Sequence, residues 1–95
     1  MKLSDTKVRA RLAKYPGWAF SKGALHRTYS FPSFPDAIAF VTRLAFDAQA
    51  ADHHPDLTIS YKKVTMTWST HSEGGVTVKD FAGARQADTI AKNFA

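Results

Sequence analysis

The chain has 95 residues, no cysteine and a formal net charge of +5 at pH 7. That length fits one small domain over residues 1–95 and leaves no room for a second. Hydrophobic residues at 44% and charged residues at 22% exclude wholesale disorder, and the missing thiols exclude a disulfide scaffold, a thiolate metal site and a cysteine nucleophile.

No apolar run approaches the roughly 20 residues that span a bilayer. The first 18 residues, MKLSDTKVRARLAKYPGW, are too polar for the apolar region of a signal peptide. A soluble, cytoplasmic protein without membrane partners is expected. Lys2, Lys7, Arg9, Arg11 and Lys14 crowd the amino-terminal end, and the other basic residues are scattered. With no aromatic RNA-binding motif, this pattern reads as a solvated helix face, and no nucleic-acid partner is expected.

Ser4 and Asp5 cap a first helix marked by Val8 and Leu12, and Tyr15-Pro16-Gly17 ends it. Trp18 to Ser21 and Ala24 to Phe31 flank Lys22-Gly23 as a hairpin. Ser33 caps a long second helix with Phe34, Ile38, Val41, Ala45 and Ala48 on its apolar face. Phe40 and Leu44 widen that face. The helix runs to about Asp52 and must stop near Pro55.

Leu57, Ile59 and Tyr61, then Val64, Met66 and Trp68, alternate with Thr and Ser. With Lys62-Lys63 as a two-residue loop, they form a second hairpin with every apolar residue on one face. Ser72-Glu73-Gly74-Gly75 is a loop. Thr77 and Asp80 form a capping box with Asp in place of Glu or Gln. They open a last helix marked by Phe81, Ala84, Ala87, Ile90, Ala91 and Phe94. The order α-β-β-α-β-β-α implies a two-layer α+β fold, a four-stranded antiparallel sheet with helices on one face.

In that register Ile59 faces Met66, Leu57 faces Trp68, and His54 falls opposite His71 on the polar face, with His53 beside it. Three imidazoles then meet at the open end of the hairpin. His26 stands apart and reads as a surface or hydrogen-bonded histidine. Imidazole is the side chain whose ordinary pKa lies nearest neutrality, so the cluster suits general acid–base catalysis. It could also suit a metal, but the i, i+4 spacing of a helical His-x-x-x-His site is absent, and no metal is expected. Ser69 and Thr70 precede His71 without a nucleophile elbow.

Asp52-His53-His54-Pro55, a hairpin, Ser69-Thr70-His71 and then Asp80 opening a helix resemble the pterin-4a-carbinolamine dehydratases. Gly17-Trp18, the strand end at Phe31, and Phe40 and Ala45 in the long helix fit the same pattern, so the likeness spans nearly the whole chain. The resemblance implies loss of water from 4a-hydroxytetrahydrobiopterin to give the quinonoid dihydropterin, with no metal or cofactor. It implies His53 and His71 as acids for the leaving hydroxyl and His54 as a catalytic or ring-orienting group. Asp52, Ser69, Thr70 and Ser72 would line the pterin pocket, and Asp80 would support a histidine. It also implies a homodimer or homotetramer. Gln49 stands where many members carry Glu, Leu57 where Trp is common, and Ser72 where an acid is common. Those departures keep a second possibility open, a non-catalytic assembly or dimerisation factor with the same fold.

Overall fold

The structure, a computed structural model, describes residues 1–94. Helix α1 spans Asp5–Leu12 and is capped by the Ser4 hydroxyl, which accepts from the Lys7 N–H. Strands β1 (Ala19–Ser21) and β2 (Ala24–Ser30) flank a turn in which Lys22 and Gly23 both take positive φ, the geometry tight hairpins favour. Helix α2 covers Phe34–Ala51, with Ser33 at its N-cap and Pro35 in its first turn. Strands β3 (Asp56–Ser60) and β4 (Lys63–Trp68) follow, then a short 3₁₀ turn at His71–Glu73, helix α3 (Val78–Ala91) and a final 3₁₀ turn at Lys92–Phe94. All strand pairs are antiparallel, in the order β1-β2-β4-β3.

Alternation sets the faces of the sheet. Leu25, Tyr29, Val64, Met66 and Trp68 point to the helices and are buried with Phe40, Leu44, Phe81, Ala84 and Ile90. The opposite face is polar, and Thr28 and Thr65 meet there hydroxyl to hydroxyl at 3.0 Å. Burying one Leu- or Phe-sized side chain is worth about 1.5–3 kcal/mol, so this shared core dominates stability.

Two sequence expectations need correction. The second hairpin turns at Tyr61-Lys62, one residue earlier than Lys62-Lys63, because Tyr61 adopts a left-handed φ of 53°. Ile59 therefore pairs with Val64 and Leu57 with Met66. A shift of two in pairing preserves the faces and changes every partner. His54 precedes β3 and His71 lies in the 3₁₀ turn, so the two are not strand partners. On α2, the buried positions are Ala37, Phe40, Leu44 and Ala48, whereas Phe34, Ile38 and Ala45 are exposed. Ala48 of the expected face is buried and Val41 packs against the core, while Phe40 and Leu44, placed at its edge, lie at the centre.

A second feature of the fold lies toward the far end of α3. Asp88 Oδ1 accepts from the Tyr29 hydroxyl at 2.5 Å and the Arg27 guanidinium at 2.9 Å, and its Oδ2 accepts from the Trp18 indole N–H at 3.0 Å. Burial, reinforced by the hydrogen bond to Asp88, raises the Tyr29 pKa far above the ordinary phenol value. Gly17, at φ +92°, leaves room for Arg27, whose guanidinium would lie 2.8 Å from an added Cβ.

Candidate active site

The site grows from the end of α2. Asp52 takes the left-handed conformation, φ 51°, and its N–H donates to the carbonyls of Ala48 and Gln49. Asp is among the few residues that tolerate this geometry, and Pro55 prevents the helix from resuming. The His53 N–H bonds to the Ala48 carbonyl at 3.1 Å, which closes the turn and sends the two histidines apart.

His53 goes inward. Its Nε2 lies 2.6 Å from Asp80 Oδ1, and its ring stacks on Trp68 with centroids 5.5 Å apart and planes 24° apart. Asp80 is completely buried. Its Oδ2 accepts from the Thr70 hydroxyl and from the Thr77 N–H, both at 2.8 Å. The only proton of the Thr70 hydroxyl is thereby used, so at the 2.9 Å contact the Thr77 hydroxyl donates to Thr70. The Thr77 oxygen in turn accepts from the Lys79 N–H at 3.2 Å. The capping box expected from Thr77 and Asp80 is present. Three donors and a helix N-terminus compensate a carboxylate that burial alone would make costly.

Since a carboxylate oxygen only accepts, His53 Nε2 carries a proton and Nδ1 is the nitrogen left for other work. A proton taken up at Nδ1 would put positive charge on a ring already paired with a carboxylate.

His54 goes outward. Its Nε2 lies 3.0 Å from Gln49 Oε1, a neutral acceptor one helical turn back. His71 is exposed at the start of the 3₁₀ turn. It follows Thr70, which shares the Asp80 carboxylate with His53, so one buried acid ties both segments to the same corner.

The remaining candidates divide. Thr70 is buried in the network. Asp52 and Ser72 are exposed beside the histidines that adjoin them in sequence. Ser69 follows β4, and its hydroxyl donates to the Gly23 carbonyl at 3.3 Å. His26 is satisfied on both ring nitrogens, by the Ser21 carbonyl and the Thr67 hydroxyl. Among the described residues, no group of three or more His, Cys, Asp or Glu side chains is arranged to hold a metal ion, and no helix is long and apolar enough to cross a membrane.

The sequence does not show Gln49 as a partner of His54 or Trp68 as the platform under His53. Gln49 stands five residues before His54, across a helix end whose left-handed turn is hard to read in advance. Trp68 was legible as an inward strand residue, which is correct, but its contact with His53 depends on tertiary packing.

The small α+β fold of three helices on a four-stranded sheet is shared with a solved pterin dehydratase. A crystal structure of a transcriptional coactivator/pterin dehydratase from Brucella melitensis superposes with a TM-score of 0.92, at 33% identity over 96% of this chain and 99% of the other. Residues 1–90 match the family described as Pterin 4 alpha carbinolamine dehydratase, and the chain belongs to that family of hydro-lyases. A relative from Roseiflexus sp. (strain RS-1), which carries the pterin-4-alpha-carbinolamine dehydratase name, is 47% identical over 94% of this chain and 96% of its own length. One from Sulfolobus acidocaldarius with the same designation is 40% identical over 95% and 99%. A pterin dehydratase-like RuBisCO assembly factor of the alpha-carboxysome shares the fold, with a TM-score of 0.65 at 20% identity over 78% of this chain and 86% of that one.

Proposed function

We propose that the protein removes water from a 4a-hydroxytetrahydropterin, 4a-hydroxytetrahydrobiopterin being the type substrate, by histidine acid–base catalysis. The observation that carries this reading is the fixed His53–Asp80 pair at 2.6 Å, with Nδ1 left for the substrate.

The reaction breaks one C–O bond. The leaving hydroxyl takes one proton from a protonated histidine and departs as water, the ring N–H gives its proton to a base, solvent water or the imidazole just neutralised, and the quinonoid dihydropterin remains. No electrons are exchanged with a partner, and neither a nucleophile nor a cofactor is required. His53 and His71 are the acids for the leaving oxygen, one for each face of the substrate. The Asp80 carboxylate orients His53 and stabilises positive charge on its ring. His54, with Nε2 turned to Gln49, presents Nδ1 as an acceptor that orients the pterin ring. Asp52, Thr70 and Ser72 border the pocket, and Ser69 contributes its backbone because its hydroxyl is engaged elsewhere.

The protein acts in the cytoplasm as a homodimer or homotetramer. The exposed apolar side chains Phe34 and Ile38 of α2 and Leu57 and Ile59 of the edge strand β3 support self-association. Light scattering after size-exclusion chromatography reads the assembly directly.

The test of activity is stopped-flow dehydration of the 4a-hydroxytetrahydropterin with and without protein, in the presence of a chelator. Acceleration that survives chelation is expected. No acceleration would favour a non-catalytic assembly role, and activity lost to the chelator and restored by zinc would overturn the acid–base reading.

A further inference from the structure

Gly83 sits in the middle of α3, where glycine weakens a helix relative to alanine. An added Cβ there would lie 2.6–2.7 Å from three carbons of the Trp68 indole. A second contact of that indole matters more. Trp68 is buried at the end of β4, and the ring stacked on it at 5.5 Å is His53. Among the described residues its indole N–H meets only the Met66 sulfur, at 3.0 Å, a weak acceptor. Packing against Gly83 and His53, more than any strong hydrogen bond, therefore fixes the indole plane.

We infer that Gly83 is a positioning residue for His53, acting through Trp68: the missing side chain seats the indole, and the indole sets the plane of the imidazole. This rests on the dehydratase reading above. Asp80 holds His53 at one atom and leaves the ring free to swing about that hydrogen bond. A flat surface beneath the ring removes that freedom and aims Nδ1. The surroundings allow the pair to move. A hollow of about 130 Å³ adjoins it, lined in part by Ala48, Ala51, Ala82 and Gly83, with His53 and Trp68 on its wall. A methyl at position 83 can push the indole toward that space without disrupting the helix, and His53 shifts with it.

The test is a double-mutant cycle on the full chain. Gly83→Ala is expected to lower kcat about tenfold with KM changed less than about twofold, since misplacing a reacting group acts on the chemical step. The ring-proton NMR signals of His53, displaced by the indole ring current, should move in the same variant. In a Trp68→Leu background, adding Gly83→Ala should change neither kcat nor the His53 signals. Should Gly83→Ala fail to fold, Trp68→Phe replaces it, and the His53 ring signals should shift there. The inference is overturned by a folded Gly83→Ala with unchanged kcat and unchanged His53 signals, by an effect of equal size in the Trp68→Leu background, or by Trp68→Phe leaving those signals in place. The NMR readout needs no turnover, so failure of the dehydratase reading would show separately, as an inactive wild type whose His53 signals still respond.

Discussion

Helix α3 carries two carboxylates that gather donors from distant parts of the chain, and they are built differently. Asp88 collects an indole N–H, a phenol and the Arg27 guanidinium. Asp80 collects a threonine hydroxyl, a backbone N–H and the imidazole of His53. Arginine never loses its charge in the working pH range, so Asp88 has a permanent counter-ion. Histidine can gain and lose its proton, so Asp80 has a partner whose charge can change during a reaction. Asp88 also keeps about a quarter of its side-chain surface in contact with solvent, whereas Asp80 has none. The first hub locks β2 and the turn before β1 onto the end of α3. The second holds one movable proton in a dry, fully hydrogen-bonded setting. A carboxylate hub is therefore structural or functional according to whether its partners can exchange protons.

Substitutions can break this comparison from either side. The largest effect outside the His53 pair should come from His71→Ala, which removes an acid without touching the core. Turnover should fall by about 10²-fold or more in stopped-flow dehydration, with the thermal midpoint nearly unchanged. Asp88→Ala should do the opposite. It strands the Trp18, Tyr29 and Arg27 donors and should cost about 2–3 kcal/mol in chemical denaturation, while the folded fraction keeps its kcat. Asp80→Asn should affect both properties. The amide cannot accept from every present donor, so a loss of about 1–3 kcal/mol is expected together with a reduced kcat. If Asp80→Asn lost stability but kept full kcat, the two hubs would be alike and the distinction would fail. His54→Ala should be smallest, raising KM about fivefold with little change in kcat, because the interaction removed binds the ring throughout the reaction. The reverse split would exchange the roles of His53 and His54.

Much of this layout is legible in the residues, and the exceptions have physical causes. Ser4, Ser33 and the Thr77–Asp80 box mark helix starts because their side chains satisfy backbone donors that no helix can satisfy internally. Val64, Met66 and Trp68 declare the inner face by alternation alone. The pairing partners were missed because alternation has a period of two, so a shift of two residues leaves the pattern intact. Only the left-handed Tyr61 fixes the turn, and tyrosine gives no advance sign of that geometry. On α2 two apolar stripes overlap, and sequence cannot say which one the sheet will cover. The Asp88 hub joins residues 59 to 70 positions apart. At the site, His53, His71 and Asp80 stood out as residue types at telling intervals. The pairing of Gln49 with His54 and the seat of His53 on Trp68 did not, since each contact exists only after folding. A glycine inside α3 was the one available sign that something large lies against that helix.

The central claim is that the carboxylate-held His53 moves the proton in dehydration. The most direct measurement is the single-turnover rate of carbinolamine dehydration for wild type and His53→Ala side by side, corrected for the spontaneous reaction. The account predicts clear acceleration by the wild type and a loss of about 10²–10⁴-fold in the variant, with the visible loss limited by the spontaneous rate and by His71. A correctly folded His53→Ala that dehydrates the substrate as fast as the wild type would contradict it.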